Sequence, residues 1–350
     1  MTPQTPLIAR ATATLMYREA AEAGACVARQ QQETRSLFQD LGRHLRLHPP
    51  TAIVTCARGS SDHAATYGKY VLEAHTGIPV ASAAPSLSSM YGVSPHLANC
   101  LYIAVSQSGR SPDLLTSVEA ARAGGAFVVS FCNDPGAPLN ALANVAIPLC
   151  AGPETSVAAT KSYLTSLAAF LQLTACWSER ADLATAVDGL GEALEHSFRL
   201  DWSPALDLLG PARHLYVIGR GPGLAAAQEI ALKCKETSGL HAEAFSGAEV
   251  RHGPYALLAP DFPALVLGQE DVTRESLATL VTDLERRGVP VLHSGVGASG
   301  GILLPMNHEH PAVQPALHVS AAYGMLAALS VQRGFDPDMP PHLRKVTETH

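Results

Sequence analysis

The chain has 350 residues, 47% hydrophobic and 16% charged, which supports a sizeable core and excludes wholesale disorder. A formal net charge of −7 argues against a nucleic-acid or anionic-membrane surface, so any anionic ligand must be met by a local pocket. Cysteines at 26, 56, 100, 132, 150, 176 and 234 contain no C-x-x-C pair, no apolar run reaches the ~20 residues of a membrane span, and residues 1–10 lack the apolar core of a signal peptide. These features fit reduced, buried thiols in a cytoplasmic protein better than a disulfide frame or a zinc site.

Residues 10–47 read as a helical arm rich in Ala, Glu, Arg and Gln, with Leu37, Leu41 and Leu45 one turn apart. The arm either packs across a domain or partner subunit or is a plain amphipathic surface helix. A strand at 52–56 runs into Ala57-Arg58-Gly59-Ser60-Ser61-Asp62-His63 and then a helix to about residue 75. Further strands are expected at 79–84, 101–105, 126–132 and 145–149, with a helix over 113–123 and a long one from about residue 158. Strands alternating with helices predict a parallel sheet with right-handed crossovers.

A helical, acidic connector follows over 178–210, and then the pattern restarts with strands at 215–218, 264–267, 289–293 and 301–305. Cys56-Ala57-Arg58-Gly59-Ser60 and Ile218-Gly219-Arg220-Gly221-Pro222 share one plan of strand, X-Arg-Gly and helix. The expected class is therefore α/β, with two similar units in tandem. The boundaries are 1–47 for the arm, 48–200 and 201–335 for the two domains, and 336–350 for a proline-stiffened tail.

The stretch Val105-Ser106-Gln107-Ser108-Gly109-Arg110-Ser111-Pro112-Asp113 places uncharged donors where a strand opens into a helix. Unpaired N–H groups and the positive end of the helix dipole favour an anion there. The loop reads as a phosphate cradle, although a strand–turn–helix connection whose serines cap the helix has the same residues. The second unit lacks this loop and has Gly268-Gln269-Glu270-Asp271 after its strand at 264–267. Gly219-Arg220-Gly221-Pro222-Gly223 does not match G-x-G-x-x-G, because position 224 is Leu, so no dinucleotide is expected.

Glu229, Lys233 and Glu236 fall on one helical face, beside Ile230, Ala231, Leu232 and Cys234. Such a row is either a solvated, salt-bridged face or, on a buried helix, a carboxylate tuned by a lysine as a general base. His252 precedes Gly253-Pro254 in a turn, where an imidazole reaches a ligand or serves structure. Lys345 follows Pro337, Pro340 and Pro341 in a tail that either frays or closes over a pocket.

Gly59-Ser60-Ser61, Ser-Gln-Ser-Gly at 106–109, Val157-Ala158-Ala159-Thr160-Lys161, the Glu229–Lys233–Glu236 row, His241-Ala242-Glu243 and Arg251-His252-Gly253-Pro254 occur in this order. Together, over residues 50 to 350, they resemble the sugar isomerase (SIS) domains. The likeness is to the isomerase half of glucosamine-6-phosphate synthase and, more closely, to stand-alone SIS-type glucosamine-6-phosphate deaminases. The resemblance implies two tandem flavodoxin-like domains, each a parallel sheet flanked by helices, no cofactor and no metal, and a homodimer with shared sites. It implies phosphate binding by Gly59, Ser60, Ser61, Ser106, Gln107, Ser108 and Ser111, and substrate contact at Val157 and Ala158.

In the same resemblance Glu236 is the base that moves a proton between C1 and C2. Glu229 and Lys233 support it, His252 opens the ring from the neighbouring subunit, and Lys345 belongs to the closing tail. Arg110 and Ser111 depart from the synthase, which has an acidic residue and threonine there. Thr2 stands where a glutaminase domain has its nucleophilic cysteine, so glutamine-derived ammonia is not expected. The implied reaction converts glucosamine 6-phosphate to fructose 6-phosphate and ammonia. The alternatives are an aldose–ketose phosphosugar isomerase without deamination and a non-catalytic sugar-phosphate sensor.

Overall fold

A computed structural model describes residues 4–345; the ends of the expected arm and tail, residues 1–3 and 346–350, lie outside the described residues. The amino-terminal region forms three helices, α1 (Gln4–Thr12), α2 (Leu15–Ala21) and α3 (Ala23–Leu47), rather than one. The break has a local cause. Thr14 is extended and its hydroxyl accepts from the Tyr17 N–H, while the Asp338 carboxylate accepts from the N–H groups of Leu15 and Met16 at 2.7 and 2.8 Å. Both are helix-start devices, so a new helix begins there.

The first sheet collects β1 (Ala52–Cys56), β2 (Val80–Ser82), β3 (Cys100–Ser106), β4 (Phe127–Cys132) and β5 (Val145–Pro148), all parallel, in the order β2-β1-β3-β4-β5. Its register pairs Cys56 with Ala104 and Ser106 with Cys132. The crossovers are α4 (Ser60–Thr76), α5 (Pro85–Ser89), α6 (Pro112–Ala123) and α7 (Pro138–Leu142). Parallel strands covered on both faces read as continuous apolar runs, and six of the seven residues of β3 are buried. Tyr102, Leu114, Val118, Val128 and Leu139 share one core cluster. Each such side chain contributes roughly 1.5–3 kcal/mol on burial.

Three helices lead onward: α8 (Lys161–Ser178), α9 (Ala181–Phe198) and α10 (Pro204–Leu209). The long helix α8 starts three residues later than the sequence predicts. Residues 155–160 stay outside the helix as an irregular, bent segment, in which the Glu19 carboxylate holds the N–H groups of Thr155 and Ser156 and the Thr155 hydroxyl.

The second sheet contains β6 (His214–Gly219), β7 (His241–Ser246), β8 (Ala264–Leu267), β9 (Val291–Ser294) and β10 (Ile302–Leu303), again all parallel, in the order β10-β9-β8-β6-β7. Its helices are α11 (Gly223–Ser238), α12 (Arg274–Arg286) and α13 (Gln314–Gln332). Tyr216, Ile218, Val266, Leu277 and Leu280 anchor its core. Read from the first strand outward, both sheets carry the flavodoxin-like 2-1-3-4-5 order. Each therefore has one switch point, beyond the carboxyl ends of its first and third strands, where doubly wound folds bind ligands.

Contacts divide the chain into two compact units. One holds residues 25–154, 162–189 and 344–345, with the first sheet. The other holds residues 4–24, 155–161 and 190–343, with the second sheet.

Candidate active site

In the first unit the switch point brings together the loops after β1 and β3, which carry every residue assigned from the sequence to phosphate binding. Gly59 caps α4 at φ +55°, ψ −132°, a conformation that a β-carbon disfavours. Ser60 and Ser61 are the first two residues of α4 and are half-buried. The buried Ser106 hydroxyl accepts from the Gly109 N–H at 2.9 Å and closes the cradle into a turn. Gly109 sits at φ +62°, and a β-carbon there would meet the Ala137 β-carbon at 2.6 Å and the Cys132 sulfur at 2.7 Å.

Gln107 and Ser108 are half-buried on this turn, and Ser111 precedes α6 without a side-chain capping bond. Two guanidiniums brace the loops. Arg58 holds the buried Asp113 carboxylate through Nε and Nη2 at 3.0 and 2.8 Å. Arg110 holds Asp134 at 3.2 and 2.7 Å and keeps that carboxyl below its usual range. The arrangement offers uncharged donors and a helix start to an anion, with its cations already engaged by carboxylates.

The second unit contains the acid–base row. Lys233 on α11 is fully buried; its Nζ lies 2.6 Å from Glu236 Oε2 and 3.4 Å from Glu229 Oε1. Burial alone would push the ammonium down, but the two carboxylates overcome it and raise its pKa. Glu229 is fully buried, whereas Glu236 keeps 22% of its side chain exposed. The row thus runs from an enclosed carboxylate to one that solvent or a substrate reaches, which fits a proton-transfer group better than a solvated face.

The other assigned residues are placed as follows. Ala158 is buried and Val157 half-buried in the segment that Glu19 holds; the Val157 N–H donates to the Asp338 carbonyl at 3.5 Å. Lys345 belongs to the first unit, where its Nζ lies 3.2 Å from Oε2 of the buried Glu154, which also accepts from the Ser162 hydroxyl at 2.6 Å. His252 is exposed on a short 3-10 turn after β7, and among the described residues no hydrogen bond or ion pair joins it to Glu236. Sequence reasoning gave no role to Asp113 or Glu154; of the two, only Asp113, an acidic residue in the first turn of α6, carried a local signal.

The switch point of the second sheet is filled by its own side chains. Gln269 is 1% exposed, and its amide donates to the Arg220 carbonyl at 2.7 Å and to Asp271 at 3.1 Å. The Glu270 carboxylate lies 3.1 Å from His308 Nδ1 and 3.5 Å from an Arg274 nitrogen. This crevice offers carboxylates where the first offers hydroxyls. Among the described residues no group of three or more His, Cys, Asp or Glu is arranged to hold a metal, and no helix is long and apolar enough to cross a membrane.

Two doubly wound sheets, one with an uncharged anion cradle at its switch point and the other with a carboxylate–lysine–carboxylate row on its first helix, define the class of protein. The chain belongs to the SIS domain family, whose model matches residues 46–175 and 208–293. A glutamine–fructose-6-phosphate aminotransferase (isomerizing) from Thermotoga maritima is 31% identical over 94% of this chain, but the chain spans only 58% of that relative's length. A crystal structure from Silicibacter pomeroyi DSS-3, provisionally named a phosphosugar isomerase, is 37% identical with a TM-score of 0.89, covering 93% of this chain and 100% of that one. The glucosamine-6-phosphate deaminase of Thermotoga maritima shares the fold at 19% identity and a TM-score of 0.78, covering 96% of this chain and 100% of that one.

Proposed function

We propose that this protein is a phosphosugar isomerase that deaminates its substrate, converting glucosamine 6-phosphate to fructose 6-phosphate and ammonia. The observation that carries the reading is the buried Lys233 bridging Glu229 and Glu236, with Glu236 alone reaching the surface of the row. A sensor of sugar phosphates has no use for such a row. The cradle of Ser60, Ser61, Ser106, Gln107, Ser108 and Ser111, set by Gly59, receives the 6-phosphate. His252 from a second copy of the chain, in a homodimer, helps open the pyranose ring. Lys345 closes the tail, and Val157 and Ala158 line the sugar.

Glu236 then takes the proton from C2 of the open-chain 2-amino aldose and returns one to C1. The enolamine becomes a 2-imine, which water hydrolyses to the ketose and ammonia. The name of the Silicibacter protein, an isomerase alone, supports the second reading, aldose–ketose isomerisation without loss of nitrogen.

Incubating the purified chain with glucosamine 6-phosphate and measuring ammonia and fructose 6-phosphate together separates the two. Equal release of both supports deamination; ketose formed from an aldose 6-phosphate without ammonia supports the second reading. Mixing inactive Glu236→Gln and His252→Ala chains tests the shared site, because co-folded mixtures regain turnover only if the two residues serve one site from different copies.

A further inference from the structure

Tyr323 lies in the middle of α13 and is fully buried. Its hydroxyl is 3.2 Å from Glu229 Oε1 and 3.4 Å from the Thr160 carbonyl oxygen. A phenol has one proton, so it donates to one of these at a time. Glu229 Oε1 is also the oxygen that faces Lys233, 3.4 Å away, and Lys233 in turn holds Glu236 at 2.6 Å. Four side chains thus form one line, Tyr323–Glu229–Lys233–Glu236, from enclosed core to partly exposed carboxylate.

The other acceptor has its own significance. Thr160 stands two residues after Ala158, in a segment fixed at both ends. Glu19 holds Thr155 and Ser156, with the Thr155 N–H at 2.6 Å, and Lys161 Nζ is 2.6 Å from Glu22 Oε2. The Thr160 carbonyl thus links Tyr323 to the segment that carries Val157 and Ala158.

We propose that Tyr323 is a positioning residue for the acid–base row: its hydroxyl holds Glu229 so that Lys233 stays on Glu236, and ties that row to the segment carrying Val157 and Ala158. The proposal rests on the reading of Glu236 as the proton-transfer group. Without the hydroxyl, a buried carboxylate loses a donor and draws Lys233 toward itself, away from Glu236. The phosphate cradle is untouched, so the loss falls on the chemical step and not on binding.

The test is Tyr323→Phe, which keeps the ring and removes only the oxygen. After wild-type turnover of glucosamine 6-phosphate is established, the variant loses about tenfold in kcat, with KM within about twofold. The double variant Tyr323→Phe with Glu229→Gln is no slower than Glu229→Gln alone, because the hydroxyl acts through that carboxylate. A merely structural hydroxyl lowers the melting temperature but leaves kcat unchanged, or gives additive losses in the double variant; either result overturns the proposal. If the wild-type chain turns over no sugar phosphate, the functional reading fails on its own. The positioning role is then read from the 15N resonance of the Lys233 ammonium in the full chain, which Tyr323→Phe displaces if the role holds and leaves in place if it does not.

Discussion

The two sheets share a strand order, and each has a crevice at the same topological point, yet the crevices are opposites. After β3 the chain places Ser106, Gln107, Ser108 and Gly109, and the turn closes on the Ser106 hydroxyl. After β8 it places Gly268, Gln269, Glu270 and Asp271, and the Gln269 amide fills the space between the loops. A repeated topology supplies two candidate pockets; side-chain chemistry makes one an uncharged, hydroxyl-lined crevice and the other occupied and acidic. The second unit puts its buried ionisable row on the helix after its first strand instead, where Lys233 is caught between two carboxylates.

Four measurements break or sharpen that contrast. The largest effect is expected from Glu236→Gln, which removes a base of the second unit and lowers kcat at least ~10²–10⁴-fold. Calorimetry should show sugar-phosphate binding retained, since the cradle is in the first unit; binding lost together with turnover would erase the division of labour. Next is a pH dependence specific to the second unit. His318, fully buried, bonds through Nε2 to the Gly268 carbonyl at 2.7 Å, and burial pushes its pKa down to about 4. Between pH 6.5 and 4 the unfolded chain binds the proton and the folded chain does not, so stability falls as pH drops through this window. The loss is on the order of 3 kcal/mol. Urea unfolding at pH 7 and pH 4.5 should show it, and His318→Gln should flatten it.

A third, smaller effect compares two glycines. Gly109→Ala forces a β-carbon at φ +62° into Ala137 and Cys132, and should cost about 1–3 kcal/mol and raise KM several-fold. Gly221→Ala, at φ +56° with its nearest neighbour 3.4 Å away, should cost stability but leave KM unchanged. The smallest is Arg110→Ala. Its pair with Asp134 is solvent-exposed, so KM should change by less than about threefold; a larger change would mean the guanidinium itself meets the ligand.

Much of the fold was legible because parallel strands are short apolar runs bounded by glycine loops, and β1 and β8 match their predicted limits residue for residue. The strand β7 was not recognised. Its sequence, His241-Ala242-Glu243-Ala244-Phe245-Ser246, carries two ionisable side chains, and it pairs only with β6 at the sheet edge, so its outer positions stay polar. Nor was α13 predicted: nearly all its residues are buried, so it has no apolar stripe to set against a polar face. In the site, loop and row were readable because their members lie close in sequence. Tyr323 was invisible because it is 94 residues from Glu229, and a tyrosine in an apolar helix looks like packing.

The contact between Lys345 and Glu154 has a practical consequence for anyone who handles this protein. Lys345 is wired into a folded unit by a carboxylate 191 positions earlier in the sequence. Removing Lys345 would take one cation from that sequestered carboxylate, which keeps the Ser162 N–H and hydroxyl as donors. A version shortened before residue 345 should therefore be compared with the 350-residue chain for melting temperature before the two are compared for activity.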